Sequence, residues 1–255
     1  MAVIPEPLKN LGSTLALPSG ELLRELLSSE LLVPYLQRKL LNALANQAPA
    51  SAPDASQLQR LAKQIGMGDI DQLDSLHRTH AIDLGVLGEL AVYPSRLSTA
   101  TEAIWSDEVP GRFLERSRDL DEATLSLLRF EDADLAQELY FQLVDGELVF
   151  AQLLDRYGQA PGQPPRGLIG PVTLDKLHPL LARVAECYDP GALIPPLDIN
   201  GTAHLIRVEQ FNKAQLDGPM RQRLLSELCQ QWISDELQQL LQRLVEAPST
   251  STLKP

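Results

Sequence analysis

Histidine and cysteine can support acid–base, nucleophilic or metal chemistry, and this chain has four histidines and two cysteines. His77 and His80 lie three residues apart in a polar helical pattern, but no third ligand accompanies them, so a zinc site is not predicted. His178 precedes a proline and is expected on the surface of a helix. His204 lies in an alternating run typical of a strand, where a single neutral histidine is more often a hydrogen-bonded core residue than a catalytic one.

Other chemistry finds no support in the sequence. It contains no Gly-x-Ser-x-Gly motif, phosphate-binding loop or dinucleotide fingerprint, so hydrolase, kinase and dehydrogenase activities are not indicated and no cofactor is predicted. Cys187 and Cys229 stand in apolar helical patterns. We expect both cysteines to pack as small hydrophobic residues in a reducing compartment.

The composition is that of a globular protein with an acidic balance. The 255 residues are 44% hydrophobic and 22% charged, and the formal net charge is −12. No run of Lys and Arg occurs, so neither nucleic acid nor an anionic membrane is a predicted partner. The first residues lack the charged and apolar regions of a signal peptide, and no stretch approaches ~20 apolar residues. These features predict no membrane insertion and a cytoplasmic location.

The N-terminal part of the chain is predicted to be helical. Ser19 and Glu21 mark the start of a first helix, and Pro34 suits the first turn of a second. Shorter helices are predicted at 58–65, 70–76 and 84–91, and the helical pattern continues to 113–116. The prolines and small residues of 48–56 are typical of a loop.

Residues 217–246 predict one long helix that ends before Pro248. Its apolar stripe, which includes Trp232, is too hydrophobic to stand in water. A coiled-coil dimer or burial within the same chain would cover the stripe. Because heptad spacing is not kept, we favour burial against the N-terminal helices between Glu21 and Leu44.

An ordered series of short motifs fills the segment between these helical parts. It starts with the strand-like Leu125-Ser126-Leu127-Leu128-Arg129-Phe130 and a helix that ends at Asp145-Gly146. The helical Phe150-Ala151-Gln152-Leu153-Leu154-Asp155-Arg156-Tyr157-Gly158 and a turn at Gly167-Leu168-Ile169-Gly170 follow. The series ends with Asp189-Pro190-Gly191 and the strand His204-Leu205-Ile206-Arg207-Val208-Glu209.

This series resembles the parvulin-type peptidyl-prolyl isomerases, which have the same landmarks in the same order. The resemblance implies a pocket that combines an apolar slot with two histidines and a cysteine or aspartate. The closing-strand histidine corresponds to His204, whereas the first-strand histidine falls on Leu127. The Cys/Asp position falls near Ala160, and an aromatic position falls on Val172.

The resemblance therefore implies a degenerate active site in which His204 is the one candidate catalytic residue. It implies peptide binding in a shallow apolar groove, for which the candidate residues are Leu127, Val172, Leu177, Leu180, His204 and Ile206. No metal ligands are expected.

The whole arrangement resembles the SurA-like chaperones and the one-parvulin proteins of cyanobacteria. The resemblance implies an α+β fold, with a four-stranded antiparallel sheet and helices inserted in an all-helical module. The expected domains are a helical module (1–118), a parvulin-like domain (119–212), a C-terminal helix that packs on the N-terminal module (213–247) and a flexible tail (248–255).

Two functions follow from this resemblance and remain open. The first is a peptidyl-prolyl isomerase with weak activity that binds unfolded or precursor polypeptides. The second is a chaperone or secretion adaptor that binds peptides without catalysis, because a fold does not establish an activity. In either case we expect a polypeptide partner and a monomer or weak dimer.

Overall fold

The structure of the protein is a computed structural model that describes residue 8 and residues 11–246, with only the backbone of Ser13. The tail expected at 248–255 lies outside the described residues. The chain forms two compact units. Unit 1 comprises the described residues up to Gly111 together with those from Gly218 onward, and unit 2 comprises Arg112–Asp217. The domain expected at 119–212 lies within unit 2.

The part of unit 1 before Gly111 is helical. Its helices are α1 (Leu11–Thr14), α2 (Gly20–Ser28), α3 (Leu32–Ala45), α4 (Ala55–Gln64), α5 (Ile70–His80), α6 (Leu84–Trp105) and the start of α7 (Val109–Arg116). In α3, Leu36, Leu40 and Leu44 recur at the spacing of one helical face, and all three are buried. Helix α4 begins at a capping box in which the Asp54 carboxylate accepts from the Gln57 backbone N–H at 2.8 Å.

Helix α6 is longer than the sequence indicated. A short helix was expected at 84–91, but the helix continues through Pro94 to Trp105. Proline removes one backbone donor and normally ends or kinks a helix. Here Val92, Ala100 and Trp105 are buried on either side of it, and this burial keeps the helix continuous.

Helix α11 (Gly218–Glu246) is the C-terminal part of unit 1 and contacts α1, α3 and α6. Its buried face includes Leu224 and Trp232, and the Trp232 ring lies 6.3 Å from that of Trp105 at a tilt of 54°. Arg221 of α11 also pairs with Glu102 of α6. The apolar stripe of the helix is therefore covered within unit 1.

Unit 2 is built on a four-stranded antiparallel sheet with the order β2-β1-β4-β3. The strands are β1 (Glu122–Phe130), β2 (Leu168–Thr173), β3 (Leu193–Ile199) and β4 (Thr202–Asn212). The helices are the end of α7, then α8 (Ala133–Val144), α9 (Phe150–Tyr157) and α10 (Pro179–Cys187). The chain enters unit 2 from unit 1 and returns to it, so the predicted α+β class, a sheet domain inserted in a helical module, is confirmed.

The central pair β1–β4 is buried on both faces. Leu127 faces Ile206 across the pair, and both belong to the core that includes Leu181 of α10. Leu128 faces Leu205, and both belong to the core formed with α8 and α9. The alternation predicted for 203–208 therefore describes a strand with two covered faces, as the sequence indicated.

Two local expectations were wrong. The expected turn at Gly167–Gly170 is the start of edge strand β2, where a proline such as Pro171 is tolerated because one side of the strand is unpaired. Gly170 has φ +114°, and a Cβ there would lie 2.4 Å from the Ala123 carbonyl oxygen, so only glycine fits. Cys187 is exposed at the end of α10, whereas Cys229 is buried as expected.

Among residues 8 and 11–246, no helix has both the length and the apolar character needed to cross a bilayer.

Unit 1 should depend on the core that α11 contributes. Leu224 is 0% exposed, and Leu224→Ala should cost about 2–5 kcal/mol because a large buried side chain leaves a cavity. Both tryptophans of the chain, Trp105 and Trp232, lie in unit 1, so tryptophan fluorescence during urea unfolding reports on this unit. Gln230→Ala, on the exposed side of α11, is the matched control and should leave the midpoint within experimental error. Equal midpoints for the two variants would show that the burial of Leu224 does not stabilise unit 1.

Candidate functional site

A cavity of about 320 Å³ opens on the α10 side of the sheet in unit 2. Its apolar residues are Leu127, Leu181 and Ile199. Its polar residues are Arg129, His178, Asn200, Thr202 and His204. A volume of this size lies at the lower end of the range for small-molecule sites, ~300–1,000 Å³.

Strand register places the central residues of the cavity. Arg129 of β1 lies opposite His204 of β4, and two residues earlier Leu127 lies opposite Ile206. Side chains two apart on a strand share a face, so these four residues lie on the same side of the sheet. The pairing of β1 with β4 thus places His204 beside Arg129 and on the same face of the sheet as Leu127.

His204 is held in its neutral form by its surroundings. It is 6% exposed, and burial lowers its pKa below the usual histidine value. The Arg129 guanidinium lowers the pKa further, while the backbone oxygen of Thr202 acts in the opposite direction. Nδ1 of His204 lies 2.8 Å from this oxygen. In the neutral ring, Nδ1–H donates to Thr202 and Nε2 carries no proton, while the backbone of Leu197 also interacts with the ring and raises its pKa.

His178 is the second histidine of the cavity, and it is exposed at the start of α10, which agrees with the expectation of a helix-surface residue. It is the N-cap of α10, where its Nδ1 accepts from the Leu180 backbone N–H at 3.3 Å. When Nδ1 accepts, the proton of the neutral ring is on Nε2. The two histidines therefore differ in role, since Nε2 is a donor in His178 and an acceptor in His204.

Gln163 fixes the outer part of β1 next to the cavity. Its side-chain amide donates to the Arg129 carbonyl oxygen at 2.6 Å and accepts from the Arg129 backbone N–H at 2.8 Å. The guanidinium of Arg129 donates to the Gly162 oxygen at 2.7 Å. The amide thus takes the place of a neighbouring strand where β2 no longer pairs with β1.

The other expected groove residues are dispersed over unit 2. Ile206 is fully buried beneath the cavity, and Val172 is half-buried on edge strand β2. Leu177 is buried and lines a different cavity, together with Arg118 and Glu186. Leu180 is exposed on α10. Of the six groove residues expected from the sequence, the cavity brings together Leu127 and His204.

Sequence reasoning missed the contributions of Arg129, His178 and Leu181. A histidine directly before a helix-starting proline could have been read as an N-cap, but not as a neighbour of His204. Ala160, near the expected Cys/Asp position, lies exposed in the loop after α9. This position therefore brings no acid or thiol to the cavity.

The cavity has the groups to hold an apolar ring and a backbone amide. It offers leucine and isoleucine side chains, a histidine donor, a histidine acceptor and one guanidinium, but no carboxylate and no thiol lines it. Within the described part of the chain, no cluster of three or more His, Cys, Asp or Glu side chains could hold a metal ion.

Solved structures similar to this chain are peptidylprolyl isomerases and SurA-like chaperones, the class indicated by the sequence motifs. PrsA from Bacillus cereus is 17% identical, with 93% of this chain and 90% of that chain covered and a TM-score of 0.41. PrsA from Streptococcus pneumoniae is 12% identical, with 93% and 96% covered and a TM-score of 0.40. A SurA-like chaperone structure from Campylobacter jejuni is 16% identical, with 91% and 97% covered and a TM-score of 0.34.

No family model matches the chain, and no curated protein matches it.

The lowered pKa of His204 has a consequence for stability. At pH values between the pKa of His204 in the folded chain and its unfolded value of about 6.5, the unfolded chain binds more protons than the folded chain. The free energy of unfolding therefore falls as the pH is lowered through this window. His204→Gln removes this contribution and should make urea unfolding less sensitive to a change from pH 7.5 to 5.5. An imidazole NMR titration, with His204 assigned by comparison with the variant, should give a midpoint below 6.5. A midpoint at or above the unfolded value would contradict the burial argument.

Proposed function

We propose that the protein binds proline-containing segments of unfolded or precursor polypeptides in the cavity around His204 and isomerises their prolyl bonds slowly. The observation that supports this proposal most is the placing of a neutral histidine beside Leu127 and Leu181 in one cavity. A proline ring is apolar, and its preceding amide carries no N–H. A site with apolar walls and few polar groups therefore binds a proline and its preceding amide better than it binds most other residues.

Isomerisation needs no covalent step. The barrier of ~18–20 kcal/mol comes from the partial double-bond character of the amide, which is lost as the bond twists. A histidine that hydrogen-bonds to the twisted amide lowers this barrier, while the apolar walls hold the proline ring in place. The Nε2–H of His178 is a donor for a carbonyl or for the nitrogen of the twisted bond, and Nε2 of His204 is an acceptor.

Slow turnover follows from what the cavity does not contain. The parvulin resemblance implies a histidine at Leu127 and an acid or thiol near Ala160, and neither position supplies one. Each 1.4 kcal/mol of lost transition-state stabilisation reduces the rate about tenfold. Apolar contact with the proline ring stabilises the ground state and the transition state equally. The affinity for the peptide is therefore retained although the polar groups are missing.

Binding without turnover is the second candidate function. It is favoured by the buried leucine at position 127, which adds apolar surface and removes a polar group from the centre of the cavity. A chaperone or secretion adaptor would need this affinity alone.

The test is to measure affinity and isomerisation separately on one peptide. A fluorescent peptide with a single Ala-Pro bond is titrated with the full chain, and its cis–trans exchange is measured by NMR exchange spectroscopy. We expect His204→Gln to slow catalysed exchange about tenfold or more while the Kd changes less than about threefold. His178→Asn keeps a good helix N-cap while it removes the imidazole, and should also slow exchange.

His80→Gln is the matched control, since His80 is exposed on α5 in unit 1. It should change neither affinity nor exchange. Binding without catalysed exchange in the unmodified chain would favour the second candidate. A peptide that binds neither the chain nor its variants would refute both functions for this cavity.

A further inference from the structure

We propose that unit 2 carries a docking surface for a cationic amphipathic helix of a partner protein, on the side of the sheet opposite the His204 cavity. The C-terminal half of α8 and the turn that leads to α9 form this α8 surface. Its residues are Glu138, Phe141, Val144, Asp145, Glu147 and Val149. The inference goes beyond the function proposed for the cavity and does not depend on it.

The α8 surface is apolar at its centre. Phe141 is 54% exposed and Val144 is 57% exposed, and the two lie three residues apart on one face of α8. The turn after α8 is tight, because the Glu147 backbone N–H donates to the Gln142 carbonyl oxygen at 2.9 Å. Val149 follows this turn directly and is 58% exposed. A partner that covers these side chains removes apolar area from water, which favours association.

Phe141 is suited to be the anchor of such an interface. Aromatic side chains are enriched among the residues that contribute most to binding. The Phe141 ring lies 5.7 Å from that of Tyr140, which is half-buried against the core on this side of the sheet. The neighbouring ring limits the freedom of the exposed one, so less side-chain entropy is lost when a partner binds.

Carboxylates surround this apolar centre. Residues 131–149 contain six Asp and Glu and no Lys, Arg or His, so they carry half of the formal net charge of −12. The acids at the start of α8 stabilise the helix, because Asp132 is its N-cap and Asp134 lies in its first turn, near the positive end of the helix dipole. Asp145 and Glu147 lie at the opposite end, where this reason does not apply.

Asp145 and Glu147 stand where a helix favours cations. Asp145 is the C-cap of α8, next to the free carbonyl groups that give this end of a helix its negative partial charge. The last turn of α8 has no basic residue, and neither carboxylate pairs with a cation of residues 8 and 11–246. Proteins tolerate such unfavourable local arrangements chiefly at functional sites. An ammonium or guanidinium group of a partner would supply the charge that this helix end favours.

The cations on neighbouring elements do not balance these acids. Arg207 of β4 lies over the Phe150 ring at 4.9 Å and pairs with Glu209 at 2.7 Å. Arg156 is in the last turn of α9 and lies over the Tyr157 ring at 5.4 Å. The α8 surface is therefore acidic as a whole.

These features match a helix whose apolar face is bordered by Lys or Arg. Glu138, Phe141 and Asp145 follow one another along one face of α8, so an apolar side chain lies between two acids. A cationic amphipathic helix presents the complementary order of cation, apolar residue and cation along its own face. A second copy of this chain fits less well, because two acidic surfaces repel each other. Nucleic acids and anionic membranes have the same sign of charge as the surface.

The experiment uses a fluorescein-labelled, proline-free peptide of the sequence Lys-Leu-Ala-Lys-Leu-Leu-Lys-Lys-Leu-Ala-Lys-Leu-Leu-Lys, which places leucines on one face of a helix and lysines on the other. Its binding to the full chain is followed by fluorescence anisotropy at physiological salt. Phe141→Ala and the double variant Asp145→Asn/Glu147→Gln should each weaken binding at least tenfold. A scrambled peptide of the same composition should also bind at least tenfold more weakly, because its leucines do not share a face.

The double variant Asp71→Asn/Glu115→Gln is the matched control. It removes the same charge from two exposed positions outside the α8 surface, and affinity should change less than about twofold. Hydrogen exchange of the β1 and β4 amides reports on the stability of unit 2. Asp145→Asn/Glu147→Gln should leave this protection unchanged or higher, because negative charge is removed from the C-terminal end of a helix.

Equal weakening in the control variant, or full affinity in Phe141→Ala, would overturn the inference. Lower protection in Asp145→Asn/Glu147→Gln would show that the acids stabilise the fold, and would overturn it as well. His204→Gln should not affect this peptide, and a loss of binding there would assign the peptide to the cavity instead. A dimer of the chain alone that Phe141→Ala dissociates, detected by sedimentation, would make a second copy the occupant and contradict the proposal. If the proline peptide fails to bind while the Lys peptide behaves as stated, the proposed function fails and this inference stands.

Discussion

The pairing of β1 with β4 is the interaction on which the rest of unit 2 depends. Each strand is central and covered on both faces, so Leu127 with Ile206 contributes to one core and Leu128 with Leu205 to the other. Full burial of each such side chain contributes about 1.5–3 kcal/mol. A shift of one residue would exchange the two faces, so the burial of both cores makes the register costly to change.

The same register decides the chemistry of the site. It places His204 next to Arg129 and on the Leu127 side of the sheet, where α10 adds His178 and Leu181. Burial and the nearby guanidinium keep the imidazole of His204 neutral. The resulting cavity has apolar surface and two histidine nitrogens of opposite hydrogen-bonding role. In the function that we propose, this combination would suit a bound proline while it provides few groups that stabilise the twisted amide.

Much of the fold could be predicted from the sequence, because the spacing of apolar residues along the chain indicates which side of a helix or strand is buried. The alternation at 203–208 indicated β4, and the leucine stripe around Trp232 indicated a long helix that buries its apolar face. The path of α6 through Pro94 and the strand at Gly170 were not predictable, since tertiary packing there outweighs local preference. The cavity was predicted only in part, because the meeting of His178 with His204 depends on how α10 lies on the sheet.

Methyl NMR of the full chain with a proline-containing peptide tests most directly whether this cavity is a binding site. We expect shifts for the methyl groups of Leu127, Leu181 and Ile199, which line the cavity. Signals of Leu128 and Leu205, on the opposite face of the same two strands, should not move. Shifts confined to the opposite face, or no shifts at saturating peptide, would contradict the account.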